Sequence, residues 1–291
     1  MTRKDWLLLF GLSIPWGCSF FFFKVLGTEL PAVSIALGRV AIAAAVLTLG
    51  LALAGQSVWR MRSEWRGLLA LGLLNNAVPF TLFAYGETLV SSGTAAILNA
   101  LTPILSVLVL RVVDGVRLGW NRALGVAVGL AGVVVLVGPS EWDSLPGEAA
   151  CLGAALCYGL STPFMARLRG HPPQLVAAGQ LIASTALLIP VALLVDRPWE
   201  LPMPSTGAWA ALLGLALFST ALAYMLYYRL VSSAGPANAM LVTYVIPATA
   251  LILGNLALDE PITTRAVMGM GVILAGLALL DGRWLRGLKP A

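Results

Sequence analysis

The sequence Leu89-Val90-Ser91-Ser92 recurs later in the chain as Leu230-Val231-Ser232-Ser233. Other residues recur at a spacing of 144 positions: Pro103 and Pro247, Gly125 and Gly269, and Gly132 and Gly276. The repetition spans most of the chain and keeps its order. It predicts two halves of one architecture, residues 1–140 and residues 146–291.

Hydrophobic stretches fill most of each half. Hydrophobic residues make up 59% of the 291 positions and charged residues only 11%, a composition typical of a chain that has the lipid bilayer as its solvent. A transmembrane helix needs about 20 mostly apolar residues. Ten such stretches, separated by Pro, Gly or charged residues, are predicted at residues 6–26, 32–54, 66–89, 94–111, 122–138, 147–167, 174–195, 207–229, 236–257 and 264–281.

The number of stretches in each half decides how the halves are oriented. Backbone groups in lipid must be paired within their own segment, and the stretches are too long for barrel strands, so we expect helices. Five is an odd number, and the second half therefore crosses the membrane in the opposite direction to the first. The sequence predicts an all-α membrane protein whose ten transmembrane helices form two inverted five-helix repeats around a central cavity. Such repeats are typical of transporters.

Basic residues alternate between the two sides of this predicted bundle. Fourteen of the 18 lie on alternate connections or near the two ends of the chain: Arg3, Lys4, Arg60, Arg62, Arg66, Arg111, Arg117, Arg122, Arg167, Arg169, Arg229, Arg283, Arg286 and Lys289. Cytoplasmic loops carry such an excess of Lys and Arg. We therefore expect both termini in the cytoplasm. The net charge is +5, but the basic residues are scattered beside apolar spans. Their distribution therefore indicates membrane topology, and no nucleic-acid partner is expected.

Residues for covalent or metal chemistry are sparse. Cys18, Cys151 and Cys157 fall within hydrophobic stretches without a metal-binding spacing. The single histidine, His171, lies in a predicted loop, and neither HExxH nor GxSxG occurs. The sequence therefore predicts no metal, no cofactor and no enzymatic activity.

Ordered motifs in the second half resemble a known family. They are Ser219-Thr220-Ala221-Leu222-Ala223-Tyr224, Arg229 to Ser233, Pro247, Asp259-Glu260-Pro261-Ile262, and Gly269 through Gly276. Together they resemble the EamA-type transporters of the drug/metabolite transporter superfamily, and the chain looks most like amino-acid exporters of the YddG type. The resemblance implies ten helices, a central cavity, alternating access, a location in the bacterial inner membrane and export of amino acids or related metabolites.

Candidate cavity residues are polar or aromatic side chains that share a helix face. Spacings of three, four and seven residues align several of them within the predicted spans, and side chains that are costly in lipid are expected to face a solute path. The candidate substrate-binding residues are Trp16, Phe20, Asn76, Phe80, Phe83, Asn99, Tyr158, Ser161, Tyr224 and Tyr244. Packing between helices and the interfacial aromatic belt are the alternative roles for these residues.

Two charged residues lie inside the predicted transmembrane spans. Arg39 and Glu87 both fall in the outer third of the predicted membrane, and we expect them to form an ion pair or a gate. No carboxylate falls in the middle of a span, although proton-driven export of cations usually requires one. We therefore expect export of small neutral or zwitterionic metabolites, most of all amino acids including aromatic ones, with weak or absent proton coupling.

Other functions stay open at this stage. A carrier for nucleotide sugars or phosphate esters would need more Lys or Arg in the cavity than Arg39 alone, and an importer would share the same fold. The expected partners are a small-molecule substrate and the lipid bilayer. The short connections make a monomer feasible, and a dimer is possible.

Overall fold

The protein forms a helical bundle in a computed structural model that describes residues 1–113, 115, 119–138 and 144–281. Within these residues ten main helices follow one another and no strand occurs. Their bounds are α1 Arg3–Leu26, α2 Ala32–Leu53, α3 Val58–Leu89, α4 Ser92–Val113, α5 Trp120–Val137, α6 Leu145–Arg167, α7 Pro173–Val195, α8 Thr206–Ala234, α9 Val242–Leu258 and α10 Thr264–Asp281.

The prediction of an all-helical membrane protein is confirmed. In the described part of the chain, nine helices are long and apolar enough to cross a membrane. The other, α9, has 17 residues and follows a single helical turn, Pro236–Ala239. Four basic residues used in the charge count, Arg117, Arg283, Arg286 and Lys289, lie outside the described residues.

The outer surface of the bundle is apolar. Large side chains such as Leu7, Leu49 and Leu194 are 66%, 61% and 78% exposed. In water such a surface would drive aggregation, whereas lipid tails solvate it. The surface therefore fits a multi-pass membrane protein.

Two helices change their winding near the middle of the bundle. In α3 the N–H of Val78 bonds to the carbonyl of Leu73, five residues earlier, and Leu73–Ala77 form π-helical turns. In α8 the same winding covers Gly214–Leu222. Residues five apart share a face in a π-helical turn. The two segments lie at corresponding positions of the two halves, about 144 residues apart.

Helices α5 and α10 form the most extensive pair in the bundle, and glycines allow their close approach. A Cβ atom on Gly125 would lie 2.6 Å from the backbone nitrogen of Leu280, and one on Gly132 would lie 2.8 Å from the nitrogen of Ile273. Small residues commonly allow membrane helices to pack backbone against backbone. The recurring glycines of the two halves thus hold the last helix of each half together.

Serine–carboxylate contacts join the halves at one end of the bundle. They link Ser34 with Asp196, Ser92 with Glu260, and Ser205 with Glu29. This end contains residues 27–31, between α1 and α2, and we call it the 27–31 face. The opposite end, where α1 begins at Arg3, is the N-terminal face.

Candidate functional site

A central cavity of about 220 Å³ lies between the two halves. Aromatic side chains form much of its wall: Trp16, Phe20, Phe23, Phe80, Phe83, Tyr158, Tyr224 and Tyr227. Uncharged polar residues interleave with them: Ser19, Asn75, Asn99, Thr102, Ser106, Ser161, Thr162, Ser219, Thr220 and Thr243. Met165, Ala239, Met240, Val242 and Ile246 complete the lining together with one charged residue, Arg39.

Many lining residues occupy corresponding positions in the two halves. The pairs separated by 144 positions are Asn75 and Ser219, Phe80 and Tyr224, Phe83 and Tyr227, and Asn99 and Thr243, while Trp16 and Tyr158, and Ser19 and Ser161, are separated by 142. Three of these pairs set an aromatic ring without a hydroxyl in the first half against a tyrosine in the second. The first-half wall therefore combines rings that lack a hydroxyl with a single cation, and the second-half wall carries phenolic hydroxyls.

The aromatic rings contact one another across the cavity. The Phe20 and Phe83 rings meet edge to face with centroids 5.6 Å apart, and the Phe83 and Tyr158 centroids are 6.2 Å apart. Trp16 of the first half lies 5.4 Å from Tyr227 of the second. Such contacts favour fixed ring orientations. The wall is suited to apolar contact and stacking with a flat or aliphatic solute group.

Arg39 enters the cavity wall from α2. Its guanidinium carbon lies 3.7 Å from the centroid of the Phe80 ring and 5.1 Å from that of Phe23. The Nε–H donates to the hydroxyl of Thr220 at 2.8 Å, and an Nη2–H donates to that of Ser19 at 3.4 Å. Cation–π contacts and hydroxyl oxygens thus surround the positive charge.

The expected ion pair between Arg39 and Glu87 is not formed. No carboxylate oxygen of the described residues lies within 4.0 Å of the guanidinium, and neither oxygen of Glu87 has a hydrogen-bond partner there. Glu87 is 1% exposed and does not line the cavity. Arg39 instead stacks on Phe80 and donates to Thr220, so that its guanidinium lines the cavity.

Most of the other predicted residues meet at this cavity. Eight line it, namely Trp16, Phe20, Phe80, Phe83, Asn99, Tyr158, Ser161 and Tyr224. Asn76 lies fully buried behind the wall, where its Oδ1 accepts a hydrogen bond of 2.9 Å from the hydroxyl of Tyr224. The Nδ2 of Asn76 has no partner among the described residues.

Asn75 takes the lining position expected for Asn76. The prediction placed Asn76, four residues before Phe80, on the same helix face as Phe80. The π-helical turn instead places Asn75, five residues before Phe80, on that face. The Nδ2 of Asn75 donates to Gln180 at 3.2 Å, and its Oδ1 accepts from the hydroxyl of Ser161 at 3.4 Å. The side chain therefore links α3 of the first half to α6 and α7 of the second.

Tyr244 lies at a different place from the other candidates. Its hydroxyl donates to the carbonyl of Leu277 at 2.9 Å, and its side chain borders a separate depression near Met1 and Trp6. The neighbouring Thr243 lines the central cavity instead. Because the helical turn before α9 ends at Ala239 and α9 begins at Val242, the helical phase counted from earlier residues does not continue to Tyr244.

The cavity is closed toward the 27–31 face and open toward the N-terminal face. Phe23 and Phe83, on the closed side, are 1% and 2% exposed. Met240, at the other end of the lining, is 40% exposed. Tyr227 and Met165, on the same side as Met240, are partly exposed. The more exposed end of the lining is thus the end at the N-terminal face.

A bundle of apolar helices around a polar, one-sided cavity defines a polytopic membrane transporter. The model of the EamA-like transporter family matches the chain twice, over residues 4–138 and 145–280, and the chain belongs to this family. The resemblance seen in the sequence motifs is thus confirmed. Membership implies a small-molecule substrate and a location within a membrane.

Several transporters are similar in sequence to this protein over nearly the whole chain. The chain is 26% identical over 282 residues to an uncharacterized transporter of Archaeoglobus fulgidus, covering 95% of this chain and 98% of the relative. It is 26% identical over 285 residues to the uncharacterized inner membrane transporter YedA of Escherichia coli strain K12, covering 97% and 92%. A probable terminal-alkyne amino-acid exporter of Streptantibioticus cattleyicolor is 26% identical over 297 residues, covering 100% and 97%.

A solved structure shares the fold. Described as "Crystal structure of protein", it superposes with a TM-score of 0.68 at 22% identity and covers 100% of both chains. At this level of identity the likeness concerns the fold alone.

Proposed function

We propose that the protein is a secondary transporter that exports small neutral or zwitterionic metabolites, most of all amino acids including aromatic ones, by alternating access. The observation that carries this proposal is the central cavity, which both halves line at corresponding positions. A site shared between two repeats can be exposed to either side as the repeats rock against each other. The halves, residues 1–140 and 146–291, are the units proposed to move as inverted repeats.

The opening of the cavity suggests the direction of loading. The positive-inside count predicts that both termini, and with them the N-terminal face, are in the cytoplasm. The cavity is open at that face and closed by Phe23 and Phe83 at the other. The described conformation is therefore proposed to be the one that loads solute from the cytoplasm, as export requires.

The lining supports amino acids as the substrate class. Eight aromatic rings provide apolar surface, which suits a ring or an aliphatic side chain. Hydroxyl and amide groups beside them supply hydrogen bonds for the polar end of a solute. The probable amino-acid exporter among the relatives is consistent with this class.

The proposed unit of transport is a single chain in the inner membrane. One chain supplies all of the described lining, which makes a monomer feasible, and a dimer is possible.

A carrier for nucleotide sugars or phosphate esters is the main alternative. Such substrates carry two or more negative charges, and one arginine lines the described cavity. An importer is the second alternative, since the net direction depends on gradients as well as on the fold.

Counterflow of radiolabelled amino acids into liposomes that contain the purified protein tests the proposal. We expect uptake of large neutral amino acids by the wild type, with at least about tenfold less by Tyr158→Ala and Asn99→Ala, because both side chains line the cavity. The matched control is Tyr85→Ala, since Tyr85 lies on the same helix as Phe83 but is 46% exposed on the outer surface.

Each outcome separates the candidates. Uptake of phosphate esters in place of amino acids would support the alternative carrier. Uptake that Tyr158→Ala and Asn99→Ala leave unchanged would remove the cavity from the transport path. An equal loss in Tyr85→Ala would point to general destabilisation.

A further inference from the structure

The charge balance of the central cavity is incomplete. Among the described lining residues Arg39 is the one with a formal charge, and no acidic side chain faces it within 4.0 Å. Arg39 is only 4% exposed. A buried guanidinium that lacks an anion is costly, and its partner in most proteins is a carboxylate or a phosphate.

The guanidinium also retains free donors. Its Nε and Nη2 bond to the hydroxyls of Thr220 and Ser19, while Nη1 has no acceptor among the described residues. The face of the ring of Phe80, 3.7 Å away, covers one side of the guanidinium plane and leaves its edge for other partners. A guanidinium edge with free N–H groups matches the two oxygens of a carboxylate.

The described lining offers a cation no anionic partner. The described lining contains no Asp or Glu, and the buried Glu87 lies outside the cavity. An ammonium group would find neutral oxygens, such as those of Asn99 and Ser106, and the faces of aromatic rings. Recognition of the two ends of an amino acid is therefore unequal, with a strong anchor for the carboxylate and a weak one for the amine.

We infer that Arg39 is the carboxylate anchor of the transport site and that the substrate class is monocarboxylates with an apolar body, with or without a 2-amino group. The inference rests on the proposed transport function and refines its substrate. One arginine balances one negative charge, which favours a carboxylate over a phosphate dianion. Amino acids are then one group of substrates, and their 2-hydroxy and 2-keto analogues are others.

Competition during counterflow tests the inference on the wild type. Radiolabelled phenylalanine is the reporter, and the unlabelled competitors are phenylalanine, phenylalanine amide, 3-phenyllactate and phenyl phosphate. We expect 3-phenyllactate to compete within about threefold of phenylalanine, and the amide to compete at least about tenfold more weakly, since it cannot form the charge-assisted pair.

Variants of Arg39 provide the second part of the test. Arg39→Gln is expected to lose the preference for the carboxylate over the amide, whereas Arg39→Lys should keep part of it, because Lys offers a point charge without the planar edge. Arg62→Gln, which changes an exposed arginine in the first turns of α3, is the matched control. The competition measurements on the wild type test the inference even if an Arg39 variant fails to fold.

The inference and the proposed function fail in different ways. If no labelled amino acid enters the wild-type liposomes, the transport proposal itself is contradicted. If transport occurs but the amide competes as well as phenylalanine, or if phenyl phosphate competes best, the carboxylate anchor is overturned and the transporter remains. If 3-phenyllactate does not compete, the amine is essential and the substrate class is narrower than inferred.

Discussion

The carboxylate of Glu260 accepts two hydrogen bonds from Ser92, one from the side-chain hydroxyl at 2.6 Å and one from the backbone N–H at 3.0 Å. The contact joins the connection before α10, in the second half, to the first turn of α4, in the first. Ser34 forms the same kind of contact with Asp196, with a hydroxyl bond of 2.7 Å and an N–H bond of 2.6 Å. Both contacts lie on the 27–31 face, where the cavity is closed.

These contacts are expected to stabilise the closed state of the 27–31 face. Each involves an ionised acceptor, and hydrogen bonds of this type are stronger than those between neutral groups. In the variant Glu260→Gln/Asp196→Asn we expect the equilibrium to shift toward opening of this face. A cysteine in place of Ser19, which lines the cavity one helical turn inside Phe23, should then react severalfold faster with a membrane-impermeant maleimide added from that side.

Two controls accompany the labelling measurement. The native thiols Cys18, Cys151 and Cys157 are first replaced by serine or alanine. Asp259→Asn changes the neighbouring carboxylate, which accepts no hydrogen bond from the described residues, and should leave the labelling rate unchanged. A rate in the double variant equal to that in Asp259→Asn would show that the contacts do not hold this face closed.

A third contact on the same face predicts a pH dependence. The hydroxyl and the backbone N–H of Ser205 both donate to Glu29, at 2.6 and 2.7 Å, and lower the pKa of this carboxyl below its ordinary value of 4.5. Because the pKa is lower in the folded state than in the unfolded state, the contact stabilises the fold above pH 4.5. That contribution is lost as the pH falls through the folded-state value.

We therefore expect the thermal unfolding midpoint to fall on acidification from about pH 6 to about pH 3. The fall should be smaller in Glu29→Gln and in Ser205→Ala, which remove the two sides of the contact. The midpoint is followed by differential scanning calorimetry in detergent. Identical pH profiles for the wild type and both variants would mean that other carboxyl groups account for the acid sensitivity.

The bond from the Tyr224 hydroxyl to Asn76 predicts a different effect on stability. Asn76 is fully buried, and this bond of 2.9 Å satisfies its Oδ1. Tyr224→Phe would leave the Asn76 amide without a partner and would also remove the hydroxyl that accepts from Gln180 Nε2 at 3.3 Å, at a cost of about 1–3 kcal/mol in the free energy of unfolding. The measurement is equilibrium unfolding in mixed micelles.

Tyr227→Phe is the matched control for this variant. Tyr227 lies one turn further along the same helix and also lines the cavity, but its hydroxyl donates to no residue that the structure describes. We expect its free energy of unfolding to change by less than about 0.5 kcal/mol. Equal effects of the two substitutions would contradict the proposed role of the bond to Asn76.

Regular helices allowed the sequence to predict much of the fold and part of the site. The spans followed from apolar length alone, because the bilayer requires about 20 such residues for each helix. Phe80 and Phe83 lie on a face that ordinary helical spacing describes, and both line the cavity. The same reasoning placed Tyr158 and Ser161, three residues apart on α6, on a common lining face.

The misplaced residues lie where the backbone departs from regular winding. The π-helical turns of α3 bring Asn75 rather than Asn76 into the cavity wall. The interruption before α9 likewise brings in Thr243 rather than Tyr244. Pro79 follows the π-helical turns of α3, and Gly235-Pro236 precedes the interruption before α9, but these residues mark a break in the helix without fixing which side chain then faces the cavity. The orientation of Arg39 depends on contacts with Phe80 and Thr220, distant in sequence, so that helical spacing could not predict it.

The glycines of α10 offer a direct test of how the last helices of the two halves pack. A Cβ atom on Gly276 would lie 2.7 Å from the carbonyl oxygen of Gly125 and even closer to the backbone nitrogen of Gly129. Gly271, on the same helix, has no atom within 4 Å of the corresponding position. Both substitutions to alanine raise helix propensity equally, so that a difference between them measures the close approach.

We expect Gly276→Ala to lower the free energy of unfolding by about 1–3 kcal/mol, because the backbones of α5 and α10 must separate to admit a methyl group. Gly271→Ala should be neutral or slightly stabilising. Unfolding in mixed micelles, followed by circular dichroism, measures both. If Gly276→Ala is as stable as Gly271→Ala, the two helices can separate without cost, and their glycines are not what holds the halves together.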